Sequence, residues 1–246
     1  MTDPGSDRAA SATSRFHQEV AAVLERIRCS QPEALEGASI LVADTIERGG
    51  VLFSFGSGHS QSVALEFFYR AGGFAASDII HDPTFGRAER LTGYAAALLE
   101  PSSLGQGDLL VVVSNSGRNA LHVEMALEGR RRGAGVIGIT SLAHSRAVAP
   151  REPLRHRLFE VCDVVIDNCG VAGDAVVPVG PDPRVRVGSL STLAGAYIAQ
   201  LLVCRAAEIL HERGKRVPVL VSMNVDAGDD HNRALLEAVR GRVRGI

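Results

Sequence analysis

A short apolar run that ends in glycines constrains this chain more than any other feature. Val51-Leu52-Phe53-Ser54-Phe55 is apolar and β-favouring, with Gly49-Gly50 before it and Gly56-Ser57-Gly58 after it. That is the pattern of a buried strand running straight into a tight turn. The glycines allow a sharp turn and a close approach of backbone to a ligand. Ser57, His59, Ser60 and Ser62 place hydroxyls and an imidazole at its mouth. Downstream, Leu109–Val113 followed by Ser114-Asn115-Ser116-Gly117-Arg118-Asn119 repeats the arrangement. One such loop is ordinary strand-to-helix chemistry. Two in one α/β chain describe a cradle for a phosphate or a sugar phosphate.

Around these two units the chain reads as alternating helices and strands. Residues 1–13 are polar and rich in Pro, Gly, Ser and Ala, the composition of a frayed tail. From Ser14 apolar residues recur at helical spacing, and Gln31-Pro32 starts a second helix that Gly49-Gly50 ends. A helix is expected over about Gln61–Ala71 and a short strand at Ser77–Ile80. Ala88–Glu100 has helical character that Gly93 and Pro101 interrupt. A helix follows at Ala120–Arg132, then a strand at Val136–Ile139 that ends in Thr140-Ser141. Ala143–Arg157, with Pro150 and Pro153, reads as connection. Strands at Asp163–Asp167 and Ala175–Val179 precede the longest helix, Thr192–Arg213. Val217–Ser222 is extended around Pro218, and a last helix covers Asp230–Arg240. Such alternation implies a mainly parallel sheet with helices on both faces. Ligands of these sheets sit at the C-terminal strand ends, where both serine loops fall.

The bulk properties remove several classes of function. With 246 residues, 46% of them hydrophobic, one large domain over 14–246 is the economical organisation. A net charge of −2 argues against an electrostatic nucleic-acid binder, and 4% aromatics with no Trp argues against base stacking. No apolar run approaches the ~20 residues of a membrane span, and the N-terminus has no signal-peptide pattern. Cys29, Cys162, Cys169 and Cys204 are scattered without a Cys-x-x-Cys, which reads as buried free thiols in a cytoplasmic protein.

The Ser114–Asn119 loop carries the strongest chemical signal. Ser114, Asn115 and Ser116 donate or accept, Gly117 is permissive, and Arg118 supplies a cation just before a helix N-terminus. Free amides and the helix dipole favour an anion there. The plainer alternative makes Ser116 or Asn119 an N-cap and Arg118 a solvated side chain. Thr140 and Ser141 end the next strand and can close the same pocket.

Gly56-Ser57-Gly58-His59-Ser60, Ser114-Asn115-Ser116-Gly117-Arg118-Asn119 and Thr140-Ser141, in this order and spacing, resemble the SIS (sugar isomerase) domain. The resemblance covers about residues 31–210. It implies a flavodoxin-like three-layer α/β sandwich with a mainly parallel sheet, here with added N-terminal helices. It also implies a phosphorylated sugar as ligand and a dimeric or tetrameric assembly. The Gly-Ser-Gly-His-Ser wording, with His81-Asp82-Pro83 and Ser222-Met223-Asn224-Val225-Asp226, resembles a small subgroup akin to phosphoheptose isomerases. By carry-over, Ser60, Ser114, Ser116 and Thr140 or Ser141 would hold the phosphate, with Ser57, Asn115, Arg118 and Asn119 beside them.

The catalytic carry-over departs from the family pattern. Fourteen residues on from Gly56, where phosphoheptose isomerases and muramic acid 6-phosphate etherases place a glutamate base, stands Arg70. An arginine is no base at physiological pH. Glu66, one helical turn earlier, can reach the pocket or simply pair with Arg70. The isomerases' histidine on the long helix is missing too, because Thr192–Cys204 has no His, Asp or Glu. His59 is an acid/base or a phosphate donor, and His81 a pocket-edge acid or part of a turn anchored by Asp82. Asp226, Asp229, Asp230 and His231 read as a capped helix start, with His231 able to reach a neighbour's pocket in an oligomer. The spacing of His59, His81, Asp82 and His231 does not suit a metal, and no cofactor is expected. Three functions follow. The leading one is aldose–ketose isomerisation of a sugar phosphate through an enediol, with catalytic Glu66 or His59, and His81 serving the oxygens. The second is a non-catalytic sugar-phosphate sensor. The third is ether or amino-sugar phosphate chemistry on the same scaffold.

Overall fold

Strand β3 (Leu109–Val113) is five consecutive aliphatic residues, all buried, and its pattern explains the architecture. Leu109, Val111 and Val113 face one core and Leu110 and Val112 the other, so the strand needs helices on both sides. The computed structural model describes residues 11–151, 153–224 and 228–244. Five parallel strands form the sheet in the order β2 (Ser77–Ile80), β1 (Leu52–Gly56), β3, β4 (Gly135–Thr140) and β5 (Val164–Asp167). The first core packs that sheet against α2 (Pro32–Glu47), α3 (Ser60–Leu65) and α7 (Ser191–Glu212), with α1 (Ala12–Ser30) outside them. The second packs it against α4 (Tyr94–Leu99) and α5 (Ala120–Arg131). The three-layer α/β sandwich is therefore as the sequence implied. α6 (Leu142–Ala147), the hairpin β6 (Ala175–Pro178) and β7 (Arg186–Ser189), and α8 (Gly228–Val239) complete the chain.

Several expectations need correction. The helix expected over Gln61–Ala71 is only Ser60–Leu65, after which the backbone tightens into i+3 turns and Tyr69 adopts a φ of 40°. The tightening lets Phe67 stay fully buried. Within Ala88–Glu100 only α4 forms, because Gly93 sits in the left-handed region at φ 81°. Helix α6 falls where connection was expected, and strand β7 in a stretch to which no element was assigned. Ser141 caps α6 by accepting from the His144 N–H at 3.1 Å, a signal obscured by the two prolines that follow, and β7 is too polar to show apolar alternation. The tail read over 1–13 falls mainly outside the described residues, and Ser11 already caps α1 by accepting from the Ser14 N–H. The cysteines are free, as expected, but Cys29 and Cys204 are exposed rather than buried. Cys162 is the most enclosed of the four, and burial pushes its thiol up to about 12. The sequence reading also overlooked that α7, at 22 residues, is long and apolar enough to cross a membrane by length and composition. Half of that stretch is buried inside the protein, where Ala194, Ile198, Leu202 and Ala206 meet the first core.

Candidate functional site

The strand order reverses direction between β1 and β3, since β2 lies beyond β1 while β4 and β5 lie beyond β3. Open α/β sheets have their crevice at that switch point, outside the carboxyl strand ends. The loops leaving β1 and β3 are the two serine loops, so the fold itself brings Ser57–Ser60 and Ser114–Asn119 side by side.

The first loop is held from within. A Cβ at Gly56 would overlap the Ser60 carbonyl, so α3 can start directly above the strand end only because residue 56 is glycine. Ser57 Oγ donates to Asp82 Oδ2 at 2.6 Å. Asp82, itself buried, also accepts from the Gly86 N–H at 2.9 Å on Oδ2, and from the Thr84 N–H and hydroxyl on Oδ1. Burial would raise this carboxyl, but the bonds from Ser57, Thr84 and Gly86 hold it below its ordinary value. The sequence reading had Asp82 as a turn anchor, which it is, and missed its bond to Ser57. Segment Phe85-Gly86 thus lies against Ser57-Gly58, and the exposed His59 ring stacks edge-on to Phe85 at 5.8 Å. Ser60 is half-buried and its hydroxyl has no side-chain partner among the described residues.

The second loop leaves more groups open. Gly117 takes a φ of 59°, and a Cβ there would stand 3.0 Å from both Thr140 Oγ1 and Ser145 Oγ. The Gly117 N–H donates to Ser114 Oγ at 3.3 Å. Thr140 and Ser141 are fully buried beneath the loop. Thr140 Oγ1 donates to the Asn115 carbonyl at 3.2 Å, and Ser141 Oγ to the Gly170 carbonyl at 2.6 Å. Their hydroxyls therefore brace the loop rather than line its mouth. Asn115 Oδ1 accepts from Asn168 Nδ2 at 3.0 Å, and Asn119 Oδ1 from Arg151 Nε at 2.8 Å. Ser116 and Arg118, by contrast, have no hydrogen-bond partner for their side chains among the described residues, and Arg118 Nε is buried without one. Beneath the same helix start His122 is buried with neither ring nitrogen bonded among the described residues, its ring centroid 5.6 Å from that of Phe55. Burial holds it down to about 4, against the opposing pull of the Asp82 charge.

Glu66 follows α3 and does pair with Arg70. Gln200 of α7 donates to the same oxygen, Oε2, at 3.0 Å, while Oε1 has no partner among the described residues. Sequence reading registered that Thr192–Cys204 of α7 has no His, Asp or Glu, and overlooked Gln200. His81 is oriented by Gln61. The Asp82 N–H donates to Gln61 Oε1 at 3.2 Å, which turns Gln61 Nε2 towards His81 Nδ1 at 3.0 Å. In neutral His81 that bond assigns Nδ1 as acceptor and leaves Nε2–H as an outward donor. His231 is tied to its own chain, through the Val219 carbonyl at 3.0 Å from Nε2. Asp226, part of the same expected cluster, lies outside the described residues. Among the described residues no group of three His, Cys, Asp or Glu side chains stands where it could hold a metal ion. A hollow of about 600 Å³ lies elsewhere, between α8 and the turn after α3, lined by Tyr69, Met223, Asn232 and Arg233.

Residues 15–141 match the SIS domain. A UPF0309 protein of Streptomyces coelicolor is 39% identical over 232 residues, covering 90% of this chain and 92% of that one. Among solved structures, a phosphoheptose isomerase from Francisella tularensis is similar at a TM-score of 0.56 and 14% identity, over 79% of this chain and 95% of that chain. The NanR protein of Vibrio vulnificus, complexed with ManNAc-6P, is similar at a TM-score of 0.52 and 17% identity, over 94% and 70%. The matched domain carries both loops, and the fold of these neighbours is the fold built above: the chain belongs to the SIS domain family, together with the UPF0309 proteins.

Proposed function

We propose that this chain binds a phosphorylated sugar across the two serine loops and interconverts its aldose and ketose forms. The phosphate sits at the α5 N-terminus, where backbone amides, the Ser116 hydroxyl and Arg118 face it and Ser60 reaches across from α3. Ser57, Ser114, Thr140 and Ser141 hold the loops in shape. Glu66 takes the proton from the carbon beside the carbonyl, giving an enediolate, and returns it to the former carbonyl carbon. The neighbouring hydroxyl gives up its proton and the former carbonyl oxygen takes one, completing the enediol exchange. The His81 Nε2–H hydrogen-bonds the sugar oxygen on which charge develops, and His59 stands at the phosphate end as a donor.

The observation that carries this reading is the asymmetry of the Glu66 carboxylate. Two donors fix Oε2 and Oε1 has no partner among the described residues, which is how a general base is aimed while one oxygen stays open for a proton. Glu66→Gln should keep sugar-phosphate binding and lower proton exchange at C2 by ~10²–10⁴-fold, because the amide keeps the shape and cannot take a proton. Proton NMR in deuterated water reads the exchange. Exchange that survives the substitution rules Glu66 out as the base.

Arg70 supports a second reading. A glutamate kept neutralised by an arginine suits a sugar-phosphate sensor, and a wild-type protein that binds tightly without exchanging any proton would be one. The third reading, elimination from an amino-sugar phosphate, starts with the same proton and differs in giving an unsaturated product. Exposed free thiols at Cys29 and Cys204 support a cytoplasmic setting. A homodimer through α7, which exposes Leu193, or through α1 and α2 accompanies the proposal. Light scattering that finds a monomer at micromolar concentration removes that part.

A further inference from the structure

Three arginines converge on the start of α5. Arg118 precedes its cap residue in the chain. Arg151 is brought there by its bond from Nε to Asn119 Oδ1 at 2.8 Å. Arg90 is brought there by the Leu121 N–H, which donates to the neighbouring Glu89 carbonyl at 3.1 Å. None of the three guanidinium groups is paired with a carboxylate among the described residues. Some arginines elsewhere are strongly paired: Arg205 bonds Glu36, Glu208 and Glu212, and Arg213 bonds Asp44 and Glu47. The three also act on one another. Arg151 is held below the ordinary arginine value by burial and then by the Arg118 and Arg90 charges, with only Glu89 opposing.

Three unpaired cations at one helix start repel each other and the positive end of the helix dipole. That arrangement is stable when anions supply the missing charge. One phosphate is already provided for by Arg118, the Ser116 hydroxyl and the helix amides, which leaves Arg90 and Arg151 in excess. Resting on the reading of this site as a sugar-phosphate cradle, we infer that Arg90 and Arg151 form a second anion subsite. The preferred ligand is a phosphosugar that carries another anionic group, a carboxylate or a second phosphate.

Matched ligand pairs test this by titration calorimetry at low ionic strength. The pairs are glucose 6-phosphate against 6-phosphogluconate, and fructose 6-phosphate against fructose 1,6-bisphosphate. In at least one pair the doubly anionic member should bind roughly tenfold or more tightly, the worth of one charge-assisted contact. Arg90→Gln should close most of that gap and leave the monophosphate affinity in place, since Arg90 is exposed and its side chain makes no hydrogen bond among the described residues. Arg151→Gln is the second variant, with circular dichroism as the check on folding. Arg184→Gln, at an exposed arginine of the β6–β7 hairpin, should leave the gap intact. Equal affinities within both pairs overturn the subsite. So does a gap that both Arg90→Gln and Arg151→Gln preserve, or one that Arg184→Gln closes equally. Which pair shows the gap tells a carboxylate from a second phosphate. If the monophosphates do not bind either, the sugar-phosphate reading itself falls, and the subsite falls with it.

Discussion

Two carboxylates, Asp82 beside the first loop and Glu66 after α3, are treated differently by the fold. Asp82 is buried, and both its oxygens are satisfied by donors from Ser57, Thr84 and Gly86. Glu66 is part-exposed and offers one satisfied oxygen and one without a partner among the described residues. The same contrast separates the two loops. Around the first, Ser57 is consumed in bracing. At the second, the Ser116 and Arg118 side chains remain without hydrogen-bond partners among the described residues. Polar groups in a folded chain are nearly always bonded once buried, so a saturated cluster is architecture, and a cluster with donors left over is where a ligand completes the set.

Breaking the saturated side should have the largest effect on stability. Asp82→Asn must turn an amide NH₂ towards groups that are themselves donors, leaving them unsatisfied. It should cost about 2–4 kcal/mol in urea unfolding. Glu66→Gln should change stability by less than about 0.5 kcal/mol, because the amide oxygen can still accept from Gln200 and only a part-exposed ion pair is lost. Equal costs for the two would erase the distinction.

How much of this was legible in the sequence follows from the same contrast. Backbone-directed features could be read directly: the apolar run Leu109–Val113, the glycine turns, and the Pro32 start of α2. Side-chain partnerships between distant segments could not. Nothing local in Asp82 announces Ser57, and Gln200 looked inert because a neutral amide on an apolar helix resembles a tolerated surface residue. Arg151 sat in a stretch that reads as connection, yet it reaches Asn119. Thr140 and Ser141 were assigned to the pocket because hydroxyls at a strand end suit phosphate. Their full burial and backbone partners, which place them beneath the loop, needed the fold.

His122 probes the boundary between the two regions. It is buried and unbonded, with a pKa of about 4 against about 6.5 in an unfolded chain. Its folded-state value is depressed, so between those values the unfolded state binds the extra proton. Stability is therefore full above about pH 6.5 and falls as the pH is lowered towards 4, by roughly 3 kcal/mol in total. His122→Phe, which keeps a ring against Phe55, should flatten that part of the pH dependence in urea titrations. A profile identical to wild type would mean that the ring does not stay neutral and buried.

The smallest change aims at the central claim, that the groups left open on the second loop take the phosphate. Backbone amide shifts should be mapped by NMR while a sugar phosphate is added to wild type and to Ser116→Ala. The account predicts the largest shifts at 57–60 and 116–120 in the wild type. It also predicts affinity roughly tenfold weaker in Ser116→Ala, the loss of one hydrogen bond to a charged group. Shifts centred on Tyr69, Asn232 and Arg233, with Ser116→Ala binding as tightly as wild type, would contradict it.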